Sequence, residues 1–122
     1  MEKCFDTLVA EAKRIVSAIT PAEAADLHGT EGVVFVDPRP LAAIAATTGR
    51  IPGALAVPLD AIRAGELPAE FADRSVHVVA ACQAGPMGAL AAAAFAAQGF
   101  ARVTYVAGGT QAWLEAGRPT ER

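Results

Sequence analysis

The chain has 122 residues, 53% of them hydrophobic, and a formal net charge of −3. That length suits one domain with a substantial core. The slight acidity argues against a broad basic surface for nucleic acid, and the Ala-rich run from Gly88 to Ala97 is too short to cross a membrane.

The opening MEKCFDTLVAEAKRIV mixes charge among its apolar residues and lacks the continuous apolar core of a signal peptide, so a cytoplasmic protein is expected. Within it, Phe5, Leu8, Val9, Ala12, Ile15 and Val16 recur at helical spacing. The apolar side of this helix has two candidate partners, the domain itself or a second copy of the chain in a homodimer. Thr20-Pro21-Ala22-Glu23 reads as a helix start: an N-cap, a proline at the first position and a glutamate able to close a capping box. That helix ends near His28-Gly29. Val33-Val34-Phe35-Val36 is a short β-branched run ending at Asp37, hence a buried strand.

Leu41 to Ala46 follows as helix, then the turn-rich Gly49-Arg50-Ile51-Pro52-Gly53-Ala54 and a short strand near Leu55 to Val57. Leu59 to Ala64 is helical. Val76 to Ala81 is the next buried strand and Pro86 to Gln98 the next helix. Gly99 suits a left-handed C-cap, with Phe100 placed for the accompanying apolar contact. Val103 to Val106 is the last strand, and Gly108-Gly109 turns into a helix carrying Trp113 that stops at Gly117 and Pro119. Strands alternating with helices imply an α/β fold, a central parallel sheet flanked by helices on both faces.

Of the two cysteines, Cys4 and Cys82, neither belongs to a disulfide framework or to a pair at zinc-ligand spacing. Cys82 stands where a strand gives way to a helix. In open parallel sheets ligands gather beyond the carboxyl ends of strands. The first amides of a helix lack intrahelical partners and favour an anion, so a thiolate there gains population. Pro86 suits the first helical position, and Gly85 and Gly88 allow close backbone approach. Against this stands a plain alternative, a buried cysteine acting as a small hydrophobe.

Several motifs together resemble the single-domain rhodanese-like sulfurtransferases. They are Val33-Val34-Phe35-Val36-Asp37-Pro38-Arg39, the turn Gly49-Arg50-Ile51-Pro52-Gly53-Ala54 with Arg50 in place of a histidine, and the strand and loop Val78-Val79-Ala80-Ala81-Cys82-Gln83-Ala84-Gly85. Gly99-Phe100, Val103 to Val106, Gly108-Gly109, Trp113 and Gly117-Arg118-Pro119 complete the pattern. The resemblance divides the chain into an amphipathic helical arm, 1–19, and a rhodanese-like domain, 20–122.

It implies a sulfurtransferase in which Cys82 takes sulfane sulfur from a small donor, becomes a persulfide and passes the sulfur to a nucleophilic acceptor, cyanide or a thiol. No metal or organic cofactor is implied. A protein sulfur acceptor is a further candidate partner. Gln83, Ala84, Gly85, Pro86, Met87 and Gly88 would cradle the sulfur through backbone amides.

The loop departs from the family in carrying no charge, with Met87 where many relatives have arginine. Weak thiosulfate activity, or preference for a polysulfide or glutathione persulfide, is therefore expected. Arg39 and Arg50 are candidates to supply charge from neighbouring segments, Arg39 having the competing role of a structural ion pair. Two other readings are a phosphatase, which needs an arginine where Gly88 stands, and a non-catalytic binding or regulatory module. Asp37, His77 and Trp113 are read as structural, and Cys4 as a solvent-facing thiol.

Overall fold

The computed structural model describes residues 4–122. Five parallel strands form one sheet in the order β1-β5-β4-β2-β3, with β1 Ser17–Ile19, β2 Val33–Asp37, β3 Leu55–Ala56, β4 His77–Ala80 and β5 Arg102–Val106. The helices are α1 Phe5–Ile15, α2 Pro21–Leu27, α3 Leu41–Ala46, α4 Leu59–Ala64, α5 Pro86–Ala97 and α6 Gly109–Glu115, with a 3-10 turn at Ala69–Phe71.

Successive strand residues point to opposite faces, and the sequence makes both faces apolar. Val36, Val78, Ala80 and Tyr105 join one core with Phe71, Phe95 and Phe100. Their neighbours Phe35, Val79, Ala81 and Val106 join the other with Ala24, Ile51 and Trp113. Helices α1, α4 and α5 pack together over the first core, and α2 and α6 over the second. This is the expected sheet covered on both faces.

The helix boundaries follow from local chemistry. The Glu23 amide donates to Thr20 Oγ1 at 3.1 Å and the Thr20 amide to Glu23 Oε1 at 3.0 Å, closing the capping box. At the end of α5 the Gly99 amide donates to the Ala96 carbonyl and the Phe100 amide to that of Phe95, at 3.2 and 3.4 Å. The Phe95 and Phe100 rings meet edge to face, 5.3 Å apart, supplying the apolar contact such a cap needs.

Just ahead of residue 20, where the sequence reading starts the domain, Ser17–Ile19 forms the edge strand of the sheet, paired with Thr104 to Val106 of β5. Three residues carry too little pattern to announce a strand; the pairing with β5 imposes it. The preceding helix α1 lays its apolar side on the domain, against α5. Ala12 and Val16 are buried, Leu8 and Val9 pack beside them, and Phe5 and Ile15 face outward.

Candidate active site

Three connections meet at the carboxyl edge of the sheet. After β4, the Ala81 amide still donates to the Val36 carbonyl of β2 at 2.9 Å, so Cys82 is fixed against the sheet before the chain leaves it. Cys82 is 3% exposed and its thiol is free. Its Sγ accepts the Gly85 amide at 3.0 Å. Gly85 caps α5 with φ of 124° and ψ of −43°, a conformation that favours glycine. No side chain caps this helix. Pro86 has no amide proton to offer, and the amides of Met87 and Gly88 belong to the first turn, where no intrahelical acceptor exists. The dipole of α5 adds positive potential at the same spot.

A second helix holds the loop from below. The Thr110 amide donates to the Cys82 carbonyl at 2.7 Å and the Gln111 amide to that of Gln83 at 2.9 Å. Gly109 makes this approach feasible: a Cβ there would lie 2.6 Å from the Cys82 carbonyl oxygen, at a φ of +63°. Thus α6 orders the loop backbone, and the Gly85 amide at the head of α5 reaches the sulfur. Thr110 is fully buried and its hydroxyl has no partner among the described residues. Sequence reasoning missed Thr110, although the Gly108-Gly109 pair just before it marked a close approach.

Of the predicted cradle residues, Gly85 reaches the cysteine sulfur through its amide. Gln83 and Ala84 are exposed, Gly85 and Gly88 buried, and Pro86 and Met87 half-buried. The contacts of the two arginines lie elsewhere. Arg39, 5% exposed, pairs with Asp37, 1% exposed, through Nη2 to Oδ2 at 2.7 Å and Nε to Oδ1 at 3.0 Å. Its remaining bonds reach Thr47 Oγ1, Thr48 Oγ1 and the Gly49 carbonyl. Of the two roles open to Arg39, this is the structural ion pair. Arg50 exchanges backbone bonds with Glu121, at 2.7 and 2.8 Å, and its Nε lies 3.8 Å from the Glu121 carboxylate. Neither arginine contacts the cysteine loop in any of these bonds.

Other candidates take structural positions. Trp113 is buried and its Nε1 donates to the Pro119 carbonyl at 2.7 Å. His77 is half-buried at the amino end of β4, 2.9 Å from Thr104 Oγ1. Burial, and then the charge of Arg102, hold its pKa below the ordinary value. Cys4 is exposed, 3.1 Å from Thr7 Oγ1, and this bond leads the influences that lower its thiol pKa. Among the described residues no cluster of His, Cys, Asp and Glu could hold a metal ion, and no helix is long and apolar enough to cross a membrane.

Residues 20–116 match the model of the rhodanese-like domain. The chain belongs to the rhodanese-like domain family. A solved structure from Rhodopseudomonas palustris CGA009, a protein of unknown function described as a possible tyrosine phosphatase, is 29% identical with a TM-score of 0.84, covering 99% of this chain and 96% of that one. The human single-domain sulfurtransferase TSTD1 is 24% identical with a TM-score of 0.71, covering 82% and 96%. A rhodanese-related protein from Thermoplasma volcanium is 21% identical with a TM-score of 0.69, covering 84% and 95%. At these identities the latter two speak for the fold. No curated protein matches the chain by sequence. Within the rhodanese-like domain, Cys82 occupies the loop between the central strand β4 and α5.

Proposed function

We propose that this rhodanese-like domain is a sulfurtransferase working through a Cys82 persulfide. The observation that carries the reading is the Sγ of a buried cysteine accepting a backbone amide at 3.0 Å, at the start of a helix with no side-chain cap. A backbone cradle of this kind stabilises the negative charge that develops on sulfur during transfer. The Cys82 thiolate attacks the outer sulfur of a donor. The donor's sulfur–sulfur bond breaks, its electron pair leaves with the departing group, and the new bond makes Cys82–S–S. With thiosulfate the leaving group is sulfite; with a polysulfide it is the chain shortened by one sulfur. An acceptor nucleophile then takes the outer sulfur and returns the thiolate, giving two half-reactions.

The loop residues Gln83 to Gly88 contribute no charged side chain, Arg39 is bound to other partners, and the Arg50 side chain lies 3.8 Å from the Glu121 carboxylate. Such a site offers no cation to the compact sulfonate group of thiosulfate. A donor whose charge lies on sulfur, a polysulfide or an organic persulfide, is therefore favoured, and thiosulfate is a weak one. The same feature disfavours a phosphatase. Clamping a phosphate dianion calls for a bidentate guanidinium, and the position that would supply it is Gly88, buried in the first turn of α5.

Intact-protein mass spectrometry tests the reading. Incubation with polysulfide is expected to add one sulfur atom, removable by cyanide, to the parent and to Cys4→Ser but not to Cys82→Ser. Thiosulfate is expected to load more slowly. Failure of a folded, reduced sample to load from either donor would overturn the enzyme reading in favour of a binding module.

A further inference from the structure

A hollow lies at the first turn of α5, the helix that follows Cys82, and three connections from the carboxyl edge of the sheet line it. Pro38 and Pro40 follow β2, Pro58, Leu59 and Asp60 follow β3, and Met87 comes from the first turn of α5. Its volume is about 240 Å³. Its walls are tied together: the Leu59 amide donates to the Pro38 carbonyl at 3.1 Å and the Val57 amide to that of Asp37 at 3.0 Å. The prolines, Leu59 and Met87 make it apolar. One charge stands at it, the exposed carboxylate of Asp60, which has no hydrogen bond or ion pair among the described residues. Other charges do not cancel it. Asp37 and Arg39 neutralise each other at 2.7 Å, and Arg63, one turn beyond Asp60, lines a separate groove between α1 and α5.

We propose that this hollow seats the organic part of the sulfur acceptor, and that the acceptor is a small aminothiol. Its short carbon chain would lie against Met87, Leu59 and the prolines, and its ammonium group would face Asp60. The proposal rests on the sulfur-transfer reading above. In the step, the aminothiol's thiolate forms a bond to the outer sulfur of Cys82–S–SH. The Cys82 sulfur–sulfur bond breaks, its electron pair returns to Cys82 as thiolate, and the product is the aminothiol persulfide. Atoms and charge balance with no external oxidant or reductant. An anionic acceptor would meet Asp60 with like charge and gain nothing from an apolar wall.

The test uses the full chain loaded with polysulfide, one added sulfur being confirmed by mass. Loss of that sulfur is then timed with cysteamine, 2-mercaptoethanol and 3-mercaptopropionate at matched thiolate concentration. The expected order is cationic, neutral, anionic. The spread is on the order of tenfold, as a screened charge pair at contact distance gives, and it shrinks as salt is added. Asp60→Asn is expected to flatten the order and Met87→Arg to reverse it. Equal rates for the three thiols in the loaded parent, or a preference unchanged in Asp60→Asn, would overturn the aminothiol proposal and leave sulfur transfer standing. Failure to load at the first step would overturn both. Should Asp60→Asn not fold, the salt dependence of the parent decides.

Discussion

Two regions at the same edge of the sheet use polar groups in opposite ways. Asp37 and Arg39, at the end of β2, are 1% and 5% exposed, and their charges are closed in on Thr47, Thr48 and the Gly49 carbonyl. Cys82, at the end of neighbouring β4, is equally buried, yet its sulfur has one amide at 3.0 Å and an uncapped helix start beside it. A buried charge must be paired or it destabilises the fold. The first region meets that requirement in the resting protein. The second leaves donors open, so that charge arriving on sulfur finds its partners in place. The first should therefore govern stability and the second reactivity.

Separating the two by mutation gives the largest expected effect. Arg39→Ala leaves the Asp37 carboxylate buried without its partner and should cost about 3–5 kcal/mol of stability, read as a lowered urea midpoint. Asp37→Ala should cost a similar amount. Sulfur loading per folded molecule should stay near the parent's in both. A variant that remains stable but loads slowly would mean that Arg39 reaches the sulfur after all.

Gly85→Ala probes the other side. At a φ of 124° an alanine is strained, by about 1–3 kcal/mol, and relief of the strain moves the amide that now reaches Cys82 Sγ. Loss of a hydrogen bond to a charged sulfur should slow loading on the order of tenfold. Rapid-quench mass spectrometry would read this. A substitution that destabilises the protein while leaving the loading rate intact would remove the Gly85 amide from the mechanism.

Much of this arrangement was legible in the sequence, for physical reasons specific to each element. The β-branched runs at Val33 to Val36 and Val78 to Val79 could satisfy two apolar faces only in a central parallel sheet. Thr20 and Glu23 wrote a capping box into adjacent residues, and the switch from strand to Pro86 placed Cys82 at a helix start. What the sequence withheld depends on contacts between distant segments. Ser17–Ile19 becomes a strand because β5 offers it an edge. Arg50 is drawn to Glu121 by a backbone bridge, and the partners of Arg39 come from a turn beyond α3. The support of Cys82 by Thr110 and Gln111 joins two loops that no local pattern connects.

Thr110 offers a smaller, opposite-signed test. Its hydroxyl is buried without a partner among the described residues, while its amide holds the Cys82 carbonyl at 2.7 Å. Thr110→Val keeps the amide and the shape but removes the unsatisfied oxygen, so stability should rise by about 1 kcal/mol. Loading should be unchanged. A slowed reaction in a stabilised protein would place the hydroxyl within the cradle and move Thr110 from scaffold to site.

The smallest effect lies at the amino end of β4, away from both regions. Burial first, and the charge of Arg102 second, hold His77 below its ordinary pKa, so the folded protein binds this proton more weakly than the unfolded chain does. Above the ordinary histidine value neither state is protonated and stability is unaffected. As pH falls through that value the unfolded chain takes up the proton first and stability declines, levelling off below the folded value. His77 is only half-buried, so solvent screening limits the loss to about a few tenths of a kcal/mol. Urea midpoints at mildly alkaline and mildly acidic pH should therefore differ slightly more in the parent than in His77→Gln. A pH dependence of stability that survives His77→Gln unchanged would have to come from another group, and the half-buried imidazole would then carry no part of it.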